Sequence, residues 1–476
     1  MGRRRWTILA CCALFAVWTA SAQAEAWTKT DQKLPMSDGA QIATSFYEPV
    51  TAPPVGGWPA IVMFHGLGGT RASMNTIAEL TFANEGYAVL TFDFRGHGES
   101  GGLFDLDGPR EVQDVKEMLD WLGTHPELDK AHIGGWGISL GGGALWASLK
   151  AGLPFAAAEV NETWTDLYPA LAPGNLSKSG AIFQFLNSVP VDRTAPELNV
   201  IKNDALNSTN VGALHALADS RSVKDALRYI TTPVLIFQGR RDFAFGLDQG
   251  IKAYTELAGP KRLYIGDFGH APSTFPGPDI GVVFAEASDW FGRFLKNDAN
   301  GIDTRKPVEL APDPFREAQN VSYAGLPRKA TVKTKTAKLG KTFGSRGKLV
   351  TTFKLPRRKL ETFGAPVVTV TASTKTQAKQ LVAVLEAVAP NGTATIVSEG
   401  GTLLPTASKA WTVSFQLIWD ATLIVRGSKL RLTLSWTSTA QNSANLLYLT
   451  GVPDGSSLTV KSAYVTLPVL KQPISG

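Results

Sequence analysis

Residues 133–143 read Ile-Gly-Gly-Trp-Gly-Ile-Ser-Leu-Gly-Gly-Gly. The centre, Gly137-Ile138-Ser139-Leu140-Gly141, has the G-x-S-x-G spacing in which a serine sits on a tight turn between a strand and a helix. Glycines flank such a serine because a side chain there would collide with neighbouring backbone. The pattern therefore demands a strand before the serine and a helix after it. Residues 132–136 form a short apolar run suited to a buried strand, and residues 143–150 are helix formers.

The preceding chain supplies matching elements. Residues 60–64 (Ala-Ile-Val-Met-Phe) are wholly apolar, as in a strand covered on both faces, and run into His65-Gly66-Leu67-Gly68-Gly69. An amphipathic helix is predicted over 73–85, a second buried strand over 87–92, and a second helix over 111–122 with Val112, Val115, Met118 and Leu119 on one face. Residues 41–47 alternate enough for an edge strand. This succession predicts a parallel α/β sheet with right-handed crossovers.

After a strand at 155–160, the stretch 161–228 has short helical segments broken by Pro and Gly and no strand pattern. Long insertions of this kind tend to be lids, so a cap rich in Trp164, Leu167, Tyr168, Phe183, Phe185 and Leu186 is expected over the serine. The core pattern resumes with strands at 233–237 and 261–265 and a helix at 280–296.

A serine hydroxyl needs a base within hydrogen-bond reach, and the base needs a carboxylate to orient it. His270, after the last of these strands, is the candidate base, and Asp242, after the strand before it, the candidate acid. Asp242 is preferred over Asp267, which would share one tight turn with the histidine. The backbone amides of Leu67 and Leu140 are the candidate oxyanion donors. His65 reads as a structural residue of the oxyanion loop, and Asp93 and Glu99 as residues that fix a turn. No zinc-ligand spacing and no Gly-rich phosphate loop is present, so neither a metal nor a cofactor is expected.

Charge divides the chain. Residues 301–476 hold 23 Lys+Arg against 9 Asp+Glu, whereas residues 25–300 hold 21 against 32. The lysines lack interleaved aromatics, so nucleic acid is not an expected partner. A basic Met1–Trp6 region, an apolar run over 7–20 and Ala22-Gln23-Ala24 match a cleaved signal peptide at 1–24, implying a secreted or periplasmic protein. Both cysteines, Cys11 and Cys12, fall in that segment, and no membrane span is expected in the mature chain.

His65-Gly66, Asp93-x-Arg95-Gly96-His97-Gly98-x-Ser100, Gly137-x-Ser139-x-Gly141, Gly239-x-x-Asp242 and Gly269-His270 together resemble an α/β-hydrolase of the X-Pro dipeptidyl-peptidase and cocaine-esterase-like group, peptidase family S15. The resemblance spans about residues 35–300. It implies an α/β-hydrolase domain at 25–300 with its cap at about 161–228, a Pro/Lys-rich linker at 301–344 and a jelly-roll-like β-sandwich at 345–476. Seven alternating segments between 348 and 449 are compatible with that sandwich. The group usually carries an aromatic residue after the nucleophile, where this chain has Leu140.

The expected function is a secreted serine hydrolase acting on a small-molecule ester or peptide through an acyl-enzyme, with esterase activity favoured by the apolar cap. An X-Pro dipeptidyl-peptidase is the alternative, with Glu159, Glu162 or Asp166 pairing the substrate ammonium and Trp164 and Tyr168 lining the cap. A polymer- or surface-binding protein on an inactive scaffold is the reading from another class.

Overall fold

A computed structural model describes residues 26–374, 376, 379–405, 410–439 and 446–474. The segment read as a signal peptide lies outside the described residues. Strands β1 (Trp27–Pro35), β2 (Gln41–Pro49) and β3 (Trp58–Phe64) are followed by α1 (Arg71–Leu80), β4 (Ala88–Phe92), α2 (Pro109–Leu122), β5 (Leu128–Ile138), α3 (Leu140–Lys150) and β6 (Ala157–Asn161). Four helices then cover the site: α4 (Leu167–Leu171), α5 (Ser179–Leu186), α6 (Pro196–Asn207) and α7 (Val211–Ser220). The sheet resumes with β7 (Val234–Gly239), α8 (Leu247–Glu256), β8 (Lys261–Gly266), α9 (Ile280–Leu295), β9 (Val308–Leu310) and β10 (Val321–Tyr323).

These ten strands make one sheet in the order β1-β2-β4-β3-β5-β6-β7-β8-β9-β10. Pairing is parallel from β4 to β9 and antiparallel at both ends. The central strands β3, β4, β6 and β7 are buried along their whole length, which is why they read as unbroken apolar runs. In β5, a Cβ on Gly134 would press on the Phe291 ring of α9, and one on Gly135 on Leu145 of α3. Those glycines let helices close on both faces of the strand that carries the serine. This is the α/β-hydrolase fold with a helical cap. Residues 41–47, expected at the sheet edge, lie inside it, because Trp27–Pro35 adds an outer strand along their full length.

The remaining chain is antiparallel. It runs through β11 (Lys329–Lys333), β12 (Ala337–Gly344), β13 (Leu349–Lys354), β14 (Leu360–Glu361), β15 (Val367–Ser373), β16 (Gln380–Val388), β17 (Ala394–Leu403), β18 (Trp411–Gln416), β19 (Leu423–Ile424), β20 (Lys429–Ser435) and β21 (Ser457–Leu470). One sheet has the order β11-β21-β15-β18 with β12 also on β21; the other is β13-β20-β16-β17. Their inner faces enclose a core that includes Val368, Val370, Leu381, Leu385, Leu432 and Val465, giving a jelly-roll-like sandwich.

The stretch 301–344 is not the linker that its prolines and lysines suggest. β9 and β10 extend the ten-stranded sheet, and β11 and β12 pair with β21. The sequence hides this because β9 and β10 are three residues each and β12 is mostly solvent-facing. Residues 446–449, read as strand-like, form no strand; Leu447 and Tyr448 instead pack in a cluster with Leu176 and Ala181 of the cap and Phe243.

The two parts are bound by polar contacts as well. Arg240, 1% exposed, pairs with the fully buried Glu361 and donates to the carbonyls of Ala311 and Ala421. The Gly180 amide donates to the Leu447 carbonyl at 2.7 Å, the amides of Leu449 and Thr450 donate to Ser179 Oγ, and Thr450 Oγ1 donates to the Leu206 carbonyl. Among the described residues no helix is long and apolar enough to cross a membrane.

Candidate active site

Ser139 lies between β5 and α3 with φ 53° and ψ −116°. This backbone conformation is strained for a residue with a side chain. The neighbouring glycines make it attainable: a Cβ on Gly141 would overlap the Phe64 carbonyl, and one on Gly137 the Gly141 carbonyl. The turn is anchored where the Ser139 amide donates to the Asn161 carbonyl at 2.9 Å and Thr163 Oγ1 donates to the Ser139 carbonyl at 2.8 Å.

Ser139 Oγ lies 3.0 Å from His270 Nε2, and His270 Nδ1 lies 2.7 Å from Asp242 Oδ2. The same Asp242 oxygen accepts the His270 amide at 3.1 Å, while Oδ1 accepts the amides of Ala244 and Phe245 at 2.9 Å each. Asp242 is wholly buried, whereas about a fifth of the His270 side chain remains accessible. The imidazole is thus held from behind and open toward the serine. Asp267 takes no part: its carboxyl lies among the charges of Asp313, Arg241 and Arg240.

Leu67 and Leu140 flank the serine. Gly66 is so close that a Cβ there would sit 3.7 Å from Ser139 Cβ. Among the described residues neither the Leu67 nor the Leu140 amide donates to a protein acceptor. His65 builds this loop. Its Nε2 accepts the Phe94 amide at 3.0 Å, so its Nδ1 carries the proton donated to the Gly66 carbonyl at 2.7 Å. Burial pushes the His65 pKa down to about 4, in keeping with a neutral structural ring. Asp93 accepts from the Arg71 amide, the Arg71 guanidinium and the Glu99 amide, and fixes the next turn.

A cavity of about 130 Å³ opens from Ser139 beneath the cap. Leu67 and Leu140 border it at the serine; Trp164, Tyr168, Phe185 and Phe245 supply aromatic walls; Leu198, Ala205 and Leu217 close its far side. Its lining contains no acidic or basic side chain. Trp164 and Tyr168 both line this cavity.

Glu159, Glu162 and Asp166 do not reach it. Glu159 lies within β6, fully buried, with Oε1 accepting from Asn161 Nδ2 at 3.1 Å; burial raises its pKa to about 8. Asp166 pairs with Lys224 at 3.2 Å. Glu162 is buried behind His270. The strand period explains Glu159: a residue inside a strand covered on both faces cannot point to a site at the strand end.

Lys178 escaped the sequence reading, and Glu162 entered it only as a possible partner for a substrate ammonium. Lys178, 2% exposed, donates to the carbonyls of Phe243 (2.7 Å) and Ala244 (3.0 Å), so the cap helps hold the loop carrying Asp242. No local pattern marks it. Glu162 carried a further signal: like Ser139 it directly follows a parallel strand, and Asp242 and His270 lie three and four residues past the ends of theirs. Glu162, Asp242 and His270 bring ligand-type atoms within 4.8 Å of one another, a grouping that could hold a cation. The Asp242 oxygens, however, are committed to three amides and the imidazole.

Comparison with known proteins agrees with this architecture. The family model of the X-Pro dipeptidyl-peptidase (S15 family) matches residues 38–272. That match takes in just under half of the chain. A CocE/NonD family hydrolase from Staphylococcus aureus superposes with TM-score 0.73 at 14% identity, covering 93% of this chain and 94% of that one. An α-amino acid ester hydrolase superposes with TM-score 0.66 at 14% identity, covering 96% and 100%. At such identity the likeness carries the fold, sandwich included. A quorum-quenching protein, AidA, from Acinetobacter baumannii is 40% identical over 97 residues, which are 19% of this chain and 30% of that protein. The chain thus spans under a third of that curated relative's length.

Proposed function

We propose that this chain, whose residues 38–272 match the S15 family model, is a serine hydrolase that cleaves esters of apolar carboxylic acids through an acyl-enzyme. Ser139 Oγ attacks the acyl carbon while His270 Nε2 takes its proton, and Asp242 holds the ring and stabilises the imidazolium. The amides of Leu67 and Leu140 receive the negative oxygen. Collapse of the tetrahedral adduct breaks the ester C–O bond, with His270 returning the proton to the departing alkoxide. Water then attacks the acyl-enzyme under the same base and releases the acid.

The observation that carries the choice of ester is the uncharged lining of the pocket at Ser139. An X-Pro dipeptide would bring a free ammonium into it, and an unpaired ammonium in an apolar pocket is costly. A cavity of this size holds roughly a benzene ring or a chain of about four to six carbons. The proposed substrates are therefore short- to medium-chain acyl esters. Export directed by residues 1–24 belongs to the same proposal, and N-terminal sequencing of the protein recovered outside the cytoplasm tests it.

The enzymatic test sets p-nitrophenyl hexanoate beside Gly-Pro p-nitroanilide, with Ser139→Ala as the blank. Ester turnover lost in the variant is expected. Faster anilide turnover would reverse the choice of substrate, and ester turnover surviving in the variant would remove Ser139 from the mechanism.

A further inference from the structure

Glu162 immediately follows β6, and its backbone adopts φ 41°, a left-handed conformation unusual for glutamate. Its amide donates to the Phe237 carbonyl of β7 at 2.9 Å, which fixes it beside the strand leading to Asp242. The side chain is 3% exposed, and Oε2 has no hydrogen-bond partner among the described residues. A Cβ on Gly269, the residue before the histidine, would lie 2.9 Å from Asp242 Oδ2 and 2.9 Å from Glu162 Oε2. Two carboxylates therefore flank the histidine loop. One is saturated with donors and the other has an unclaimed oxygen.

An unpartnered buried carboxyl group is costly, and nothing in the packing of β6 requires one here. We infer that Glu162 is a positioning residue that acts through His270, a second carboxylate whose charge stabilises the imidazolium formed when Ser139 attacks. The inference rests on the serine-hydrolase reading above.

The electrostatics agree in sign. Burial raises the pKa of Glu162; the His270 charge opposes that and the Asp242 charge adds to it. For His270, burial alone would lower the pKa, but the charge and hydrogen bond of Asp242 outweigh it and Glu162 adds in the same direction. Lys178 is the charged group acting against them. An ionised Glu162 beside the charged imidazole lowers its energy.

Glu162→Gln keeps the shape and removes the charge. Without that charge the imidazolium is less stable and His270 loses its proton at lower pH. The acid limb of kcat/KM for p-nitrophenyl hexanoate should move down by about 0.5–1 pH unit, and the high-pH plateau should fall about three- to tenfold with the weaker base. Glu162→Asp, which retains a carboxylate, should keep the limb nearer its original position, and it provides the test if the glutamine variant folds poorly. In an Asp242→Asn background, adding Glu162→Gln should cost at least a further tenfold or so, because the remaining carboxylate is then lost.

A limb that stays in place in Glu162→Gln, or an Asp242→Asn double variant no slower than the single one, would overturn the inference. Turnover in the parent enzyme that does not depend on Ser139 would instead overturn the underlying reading, so the two failures are distinguishable.

Discussion

The two sides of Ser139 are built from opposite materials. Toward the cap lies a pocket with no acidic or basic side chain, walled by Trp164, Tyr168, Phe185 and Phe245. Toward the sheet lie Asp242, Glu162 and His270, with ligand-type atoms within 4.8 Å of one another, and the buried Lys178 of the cap is bonded to the Asp242 loop. The rings of Phe185 and Phe245 stand between them, 6.0 and 5.2 Å from the imidazole. The contrast separates two tasks. On the proposed reading the polar side moves a proton and must be exact in charge and geometry, whereas the apolar side selects an acyl group by shape and tolerates exchange among hydrophobic residues.

Variants can break that division, or sharpen it. Ser139→Ala stands at the boundary and should lower ester hydrolysis by about 10⁴-fold or more, measured as kcat/KM with p-nitrophenyl hexanoate. On the apolar side, Ala205→Phe fills part of the pocket. It should reduce kcat/KM for hexanoate by about tenfold, the effect of removing room for one or two methylenes, with the acetate rate nearly unchanged. An equal loss on both esters would mean that the cavity is not the acyl site.

On the polar side, Lys178→Met removes the one cation opposing His270. The imidazolium is then favoured, so the acid limb should move to higher pH by a few tenths of a unit, opposite in sign to Glu162→Gln. Stability should drop by about 1–3 kcal/mol as the Phe243 and Ala244 carbonyls lose their donor, read from urea unfolding. The smallest expected change is none: KM for a neutral ester should stay flat across the range in which kcat/KM varies, since no carboxylate, imidazole or amine lines the pocket and burial raises the pKa of its one phenol, Tyr168. A KM that follows the acid limb would put a charge on the apolar side after all.

The polar side was largely legible in the sequence, because each of its principal members is tied to the end of a strand. Glycine spacing around Ser139 gives the turn, and the apolar runs before Asp242 and His270 give the strands. Glu162 was noticed but misassigned. Its neighbour Trp164 suggested the cap, while the left-handed turn that swings its side chain back beneath His270 depends on the pairing of β6 with β7. The apolar side was legible only as a composition: the aromatics of the insertion were evident, but their convergence on one cavity depends on four helices with no shared periodicity. Lys178 was invisible, as its partners are two backbone carbonyls 65 and 66 residues away. The folded character of 301–344 was lost because three-residue strands and solvent-facing lysines look the same as a linker until a partner strand is beside them.

The bonds from residues 447–450 to Ser179, Gly180 and Leu206 tie the sandwich to the cap. The cap is stitched to a part of the chain more than 230 residues away, on the far side of the sheet-forming segments. A chimera that exchanged sandwiches between two such enzymes would therefore not be a neutral graft. It would bring a new jamb for an old door, and the acyl preference of the hybrid would partly follow the donor of its last 150 or so residues.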